Sequence, residues 1–265
     1  MKRVLTAAVL LAVFIPVLVF SDTVAFPIFL AIYGAMCSYE ACSCRGLEKK
    51  IYVLIPSALY IVFVPFSARI HIYAFIAATF CYAVYMFLVC AAAYGRAPAP
   101  DLLFSAFFII FIAFGLYSIV RFRDAMPQRY LLVFLAPWIS DAFAMYGGKL
   151  FGKKKLCPEL SPKKTVAGAV SGAVGTMLTF VVFALVINLF FNGNCSYLYY
   201  LLASIPVAAL VQLGDLGASA VKRSCGIKDY GSIFPGHGGA LDRCDSVLPV
   251  AIAAYSFSVL PYLFM

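Results

Sequence analysis

Long apolar runs separated by short polar stretches fill the chain. The runs cover Val4 to Phe20 and on through Cys37, then Ile51 to Phe66, Ile70 to Tyr94, Asp101 to Val120 and Tyr130 to Gly148. They continue with Val166 to Phe191, Ser196 to Leu213 and Ser246 to Phe264. Each is near the length of about 20 residues that crosses about 30 Å of hydrocarbon as a helix. The pattern predicts an all-α polytopic transmembrane helical bundle of about nine spans. Met1-Lys2-Arg3 before the first run resembles the charged start of a signal peptide, but no A-x-A cleavage pattern follows, so the run is read as a span joined to the second by a turn at Ser21-Asp22. No repeat or Pro/Ser linker divides the chain. It reads as one membrane domain, with about five N-terminal spans in residues 1–130 and the polar blocks in residues 131–265.

Composition agrees. The mean hydropathy is +1.00, and only 12% of the 265 residues are charged, too few for the surface of a soluble protein of this size. The net charge of +9 does not indicate a nucleic-acid partner, because the cations lie in short loops between apolar spans. Nine cysteines lie mostly in apolar runs, and the Cys42-x-Cys44 pair has no second pair or neighbouring histidine to complete a zinc site, so all are read as reduced and structural. With the amino terminus inside, nine spans put Ser38–Lys50, Lys149–Thr165 and Asp215–Asp245 on the cytoplasmic side, as the positive-inside rule requires. Arg121, Arg123 and Arg129 would then face outward. Either the topology differs there, or the helix ends near the interface and these arginines pair with headgroups.

The chemistry is concentrated between Leu210 and Ser246, which holds four of the eleven carboxylates (Asp215, Asp229, Asp242, Asp245), the cations Lys222, Arg223, Lys228 and Arg243, and His237. On a helix, Asp215, Ser219 and Lys222 fall at i, i+4 and i+7 with Arg223 beside them. Pro235-Gly236-His237-Gly238-Gly239 breaks regular structure and would let the backbone approach a ligand. Asp242, Asp245 and Ser246 follow at i, i+3 and i+4. The block offers acids for a divalent metal, cations for phosphate and a glycine turn for close contact. The plainer alternative is a helix cap at Asp245-Ser246, snorkelling cations and an ordinary turn.

A second block runs from Pro137 to Thr165. Asp141 lies in or at the end of a span, where an unpaired carboxylate costs on the order of 3 kcal/mol and is by default a functional candidate. Its alternative is an interfacial acid paired with a loop lysine. Six lysines follow between Lys149 and Lys164, in part the positive-inside signal and an attraction for anionic headgroups. Ser161-Pro162-Lys163-Lys164-Thr165 is read as opening a helix, so that backbone N–H groups, a hydroxyl and two ammonium groups could converge on a phosphate. Gly147 to Lys153 fits G-x-x-x-x-G-K, but Lys154 stands where a P-loop needs Ser or Thr and no strand precedes it, which excludes a Walker A loop.

The run from Ser219 to Asp245, with its Lys-Arg, Lys-Asp, Pro-Gly-His-Gly-Gly and Asp-Arg-x-Asp spacing, resembles the signature of the phosphatidate cytidylyltransferases, or CDP-diacylglycerol synthases. Asp141–Tyr146, Gly148–Lys153 and Ser161–Thr165 resemble that family's other motifs, while the first 130 residues match it only in hydropathy. The chain departs from the pattern at Ala218, where the family commonly has Glu, and at Val166-Ala167, where it has Trp-Glu. The resemblance implies reaction of CTP with phosphatidic acid to give CDP-diacylglycerol and pyrophosphate, with Mg²⁺ and a possible second metal or monovalent cation. It implies metal ligation by Asp215 and Asp242, with Asp245 and Asp141 as further candidates. Catalytic roles fall on Asp215, Asp242, Lys222, Arg223 and His237, the histidine either bonding a phosphate or holding the glycine loop. Phosphate contacts fall on Ser161, Lys163, Lys164, Thr165, Ser219, Lys228, Gly238, Gly239 and Arg243. It also suggests a homodimer, while the short chain with no transit segment favours a bacterial plasma membrane and the placement of both polar blocks on one side gives a site facing the cytoplasm. Two alternatives stand beside this reading: a CTP-dependent transferase for another phosphorylated lipid (an ether lipid or a polyprenol), and an ion-coupled transporter using Asp141 and Asp215. The clustering of acids with loop lysines argues against the transporter.

Overall fold

The computed structural model describes residues 2–234, 236 and 238–263, with side chains described within 9–259. His237 therefore lies outside the described residues. The helices are α1 Lys2–Val19, α2 Ala25–Ser43, α3 Ile51–Ile70, α4 Ile72–Ala92, α5 Ala99–Ala125, α6 Leu132–Phe151, α7 Val166–Phe190, α8 Tyr197–Ser224, α9 Leu241–Cys244 and α10 Val247–Leu263. A 3₁₀ turn, Arg129–Leu131, leads into α6, and an antiparallel hairpin of β1 Lys155–Cys157 and β2 Ser161–Thr165 joins α6 to α7.

Among the described residues seven helices are long and apolar enough to cross a membrane: α2 to α5, Arg129–Phe151, α7 and α8. The apolar parts of α1 and α10, Val9–Val19 and Val247–Val259, are shorter. The protein is a polytopic helical membrane protein.

Two sequence expectations give way here. The run expected to end at Leu213 continues as helix to Ser224, because Asp215 to Val221 contains no proline and is rich in helix-compatible Ala, Leu and Val. It stops where Gly226 turns to φ 69° and the Gly226 and Ile227 amides close back on the carbonyls of Arg223 and Lys222. Ser161–Thr165 does not open a helix. It is a strand paired with β1, and its last residue, Thr165, caps α7 by accepting the Gly168 amide at 3.1 Å.

The core lies where α2, α3, α5 and α10 meet, around Phe26, Ile61, Ile109, Ile112 and Leu248, all essentially inaccessible to solvent. At this size each buried side chain of that kind contributes about 1.5–3 kcal/mol relative to leaving it in water, although in a bilayer the gain comes mainly from packing. α6 and α7 lie against each other through small residues. A Cβ on Gly172 would come within 3.0 Å of Ser140 Oγ, one residue before Asp141.

At the end of the bundle away from the polar blocks, Arg69, Arg121 and Arg123 bond to the protein itself, while Arg129 is exposed. Arg69 donates to the carbonyls of Thr23 and Ser21 at 2.6 and 2.8 Å and pairs with Asp124 at 3.4 Å. Arg123 pairs with Asp124 at 3.1 Å and donates to Ser21 Oγ, and Arg121 donates to the Ala68 carbonyl at 3.3 Å. The two carbonyl bonds of Arg69 hold the turn between α1 and α2, and Arg121 reaches a carbonyl in the last turn of α3. Arg69→Ala removes both turn bonds and the Asp124 pair, so it is expected to destabilise the fold by about 1–2 kcal/mol and to lower the thermal midpoint in detergent. An unchanged midpoint would remove this clamp from the account.

Candidate active site

Four acids reach one region from three directions. Asp141 lies in α6, Asp215 in α8, and Asp242 and Asp245 on and just after the short helix α9. Gly214 makes the approach of α8 possible: a Cβ there would lie 3.1 Å from the Asp245 carbonyl and 2.9 Å from the Pro249 ring. Gln212 ties the same turn of α8 to α7 by donating to the Ala169 carbonyl at 2.8 Å. Asp215 is thereby set beside Asp245.

Asp242 is the most heavily bonded of the four. Lys222 Nζ donates to its Oδ1 at 2.7 Å, and its Oδ2 accepts the amides of Tyr230 and Gly239 at 2.8 and 2.9 Å. Its side chain is 4% exposed. Lys222 also lies 3.8 Å from Asp245 Oδ2 and sits over the Tyr230 ring at 5.2 Å. A pair this buried depends on both members, since loss of the lysine would leave an uncompensated charge costing about 3–5 kcal/mol. The second ion pair, Lys164 with Asp215, joins β2 to α8 and is about a quarter exposed, so it contributes little stability, about 0–1 kcal/mol.

Burial pushes the Asp245 carboxyl up to about 7, and the charges of Asp215 and Asp141 add to the shift while Lys222 and the Ser246 amide oppose it. Three acids thus crowd one another. Among the described residues no three Asp, Glu, His or Cys side chains form a ready-made metal shell. The donors nonetheless suit a hard divalent cation: all are carboxylate oxygens, and the repulsion among Asp141, Asp215 and Asp245 is what such an ion relieves.

The other expected residues fall around this centre. Arg243 is exposed and lines the cavity beside the acids. Ser219 is half-buried one turn after Asp215, and Ser161 is half-buried on β2. Lys163, Lys228 and Asp229 are exposed, and Arg223 is exposed with its guanidinium donating to the Ile227 carbonyl at 3.1 Å. Thr165 is buried, and its hydroxyl accepts the Gly168 amide as the α7 cap. In the glycine loop Gly236 and Gly238 adopt φ of 79° and 84°, as such a turn requires, and Gly239 meets protein groups on two sides. Its amide goes to Asp242, and the carboxylate of Glu40 fills the place its Cβ would take.

Glu40 is the residue that sequence reasoning missed. It lies in α2, 1% exposed, and accepts the amides of Ala240 and Leu241 at 2.9 Å each. It is the one charged residue of that apolar helix. An acid inside a span was the signal that could have found it, but the span was ended at Cys37 and Glu40 fell into a loop.

A cavity of about 610 Å³ opens between α1, α2, α6 and α10. Its lining is mostly apolar, with Phe14, Leu30, Tyr33, Met36 and Trp138, and its polar part is made by Asp141, Asp242, Arg243, Asp245 and Ser246. An amphiphile with an anionic head fits such a shape.

Residues 1–260 match the sequence profile of the cytidylyltransferase family. The chain belongs to this family. The phosphatidate cytidylyltransferase of Staphylococcus haemolyticus is 32% identical over 263 residues, covering 94% of this chain and 96% of that protein. The phosphatidate cytidylyltransferase of Thermotoga maritima is 36% identical over 149 residues, 56% of this chain and 55% of that protein, and that of Rickettsia conorii is 38% identical over 164 residues, 60% and 70%. The family match covers the α2 residues around Glu40 as well as the motif-bearing half.

The crowding of acids predicts a pH dependence. A carboxyl whose pKa is raised by folding holds its proton in the native state where the unfolded chain has lost it, so stability falls as pH rises from about 4 to about 7. Metal-free protein is expected to melt lower at pH 7.5 than at pH 5.5, and Asp245→Asn to flatten that slope. A slope unaffected by the substitution would mean that Asp245 is not the group responsible.

Proposed function

We propose that the protein transfers the cytidylyl group of CTP to phosphatidic acid, forming CDP-diacylglycerol and releasing pyrophosphate. The observation that carries this reading is the cavity, whose apolar walls meet a cluster of acids with Arg243 beside them, in a chain of the cytidylyltransferase family. The acyl chains would lie along Leu30, Met36 and Trp138 with the lipid phosphate at the acids and Arg243. CTP would enter from the side of the hairpin and the α8 terminus.

In the reaction an oxygen of the lipid phosphate attacks the α-phosphorus of CTP. The new P–O bond forms as the bond to the β-phosphate breaks, and the electron pair leaves with pyrophosphate. No general base is needed, since a phosphate monoester is already largely ionised at neutral pH. A divalent cation, Mg²⁺ in the present proposal, would be held by Asp215, Asp242 and Asp245 with Asp141 adjacent, and would offset the charge of the triphosphate and of the leaving group. Arg243 orients the lipid phosphate. Lys163, Lys164, Arg223 and Lys228 draw the triphosphate to the mouth of the site and reduce the repulsion between two polyanions. Lys222 holds Asp242 in place.

The polar segments Ser38–Lys50, Lys149–Thr165 and Asp215–Asp245, helix ends and loops together, would face the cytoplasm of a bacterial plasma membrane, with α1 and α10 completing nine spans. A contact between two of these regions supports their common side: Arg45 after α2 reaches Ser224 at the end of α8, at 3.5 Å. The expected homodimer would use the exposed apolar faces of α4, α7 or α8.

The test is pyrophosphate release by detergent-purified protein. Turnover should require CTP, phosphatidic acid and Mg²⁺ together. Asp215→Asn, which disturbs only a partly exposed pair, should keep the fold and lower the rate about a hundredfold or more. Turnover with another phosphorylated lipid but not with phosphatidic acid would replace the substrate, and absence of CTP binding would overturn the reading.

A further inference from the structure

The catalytic motifs all lie after residue 137, yet the turn bearing Asp242 and Asp245 is gripped by α2. Tyr33, Cys37 and Glu40 stand at i, i+4 and i+7 and therefore form one stripe along that helix. Each touches the turn. The Tyr33 hydroxyl donates to the Ala240 carbonyl at 2.7 Å, Cys37 Sγ lies 3.9 Å from Cys244 Sγ, and the two oxygens of Glu40 accept the Ala240 and Leu241 amides. The peptide groups on both sides of Ala240 are thus fixed from one neighbouring helix.

Glu40 does more than occupy space there. Among the described residues no cation pairs with it, so its charge is carried by backbone amides alone. The chain wraps it closely enough that a Cβ at Gly231 or at Gly239 would collide with its carboxylate. Asp242 takes the next amide back, that of Gly239, together with that of Tyr230. Three consecutive amides, Gly239, Ala240 and Leu241, therefore point at two carboxylates, one on the turn itself and one on α2.

We propose that Glu40, assisted by Tyr33, is a positioning residue for the metal-bearing turn: by holding the Ala240 and Leu241 amides it aims Asp242 and Asp245 at Asp215 and so sets the affinity of the site for its divalent cation. The proposal rests on the cytidylyltransferase reading above. Glu40 does not line the cavity as Asp141, Asp242 and Asp245 do, and its oxygens go to the Ala240 and Leu241 amides, so it acts through the turn. Outer residues of this kind typically change metal affinity by about 10–100-fold when altered.

The full chain in detergent tests this without turnover. Mn²⁺ binding is followed by electron paramagnetic resonance, and folding by far-ultraviolet circular dichroism and thermal melting. Glu40→Gln, which keeps the shape but turns an amide –NH₂ toward a backbone N–H, is expected to retain the helical signal and bind Mn²⁺ about tenfold or more weakly, with a matching rise in the Mg²⁺ concentration that half-saturates pyrophosphate release. Tyr33→Phe, the milder change, should weaken Mn²⁺ binding several-fold and serves where Glu40→Gln does not fold. Gly239→Ala should damage binding in the unaltered chain and add little in Glu40→Ala, because the carboxylate it strikes is gone. Variants that melt lower but bind Mn²⁺ as tightly as the unaltered chain would overturn the proposal and leave Glu40 a purely structural acid. If the unaltered chain binds no Mn²⁺, the metal reading of the site fails along with the inference.

Discussion

Everything at this site depends on how the carboxylate of Asp242 is held at 4% exposure. A charge so placed survives only with full compensation. Lys222 supplies the counter-charge from α8, and the Tyr230 and Gly239 amides satisfy the far oxygen. The loop between Tyr230 and α9 takes its course from these bonds. The hydrogen bonds of Glu40 continue the same logic on the other side, so two buried acids and a run of backbone donors stabilise each other where an irregular loop would otherwise carry unsatisfied groups.

The two parts of the chain consequently meet at the chemistry. α6, α7 and the hairpin bring Asp141 and Lys164, α8 brings Asp215 and Lys222, and α2 steadies the turn that closes the cavity. Close packing makes this convergence possible. Gly172 lets α7 touch α6 beside Asp141, and Gly214 lets α8 touch the start of α10 beside Asp215. At the opposite end the Arg69, Arg123 and Asp124 cluster ties α1, α2, α3 and α5 together, leaving the acid end as the place where polar groups can meet ligands.

Much of this was legible from residue order. Hydropathy marks the spans because lipid requires apolar surface whatever the tertiary packing. The i, i+4, i+7 spacing of Asp215, Ser219 and Lys222 gives one face if the segment is helical, as it is in α8, and the resemblance pointed to the acids that the fold brings together. The boundary at Leu213 was misplaced because polar residues were taken to mean loop, whereas hydrogen bonding and propensity carry α8 on to Ser224. Pairing with Lys155 and Cys157 decides the strand at Ser161–Thr165, and no local pattern shows such a partner. The role of Glu40 depends on contacts about 200 positions away, and in sequence its charge is visible but its partners are not.

The central claim is that CTP gives up its cytidylyl group to a lipid phosphate at this acid cluster. The most direct measurement follows two radiolabels in purified protein with phosphatidic acid and Mg²⁺. The account predicts that label from [α-³²P]CTP passes into the lipid phase while label from [γ-³²P]CTP appears only in pyrophosphate, and that both movements stop when the divalent cation is chelated. Transfer of the γ-label to lipid, or an α-label that remains in water-soluble nucleotide while CTP is consumed, would contradict it.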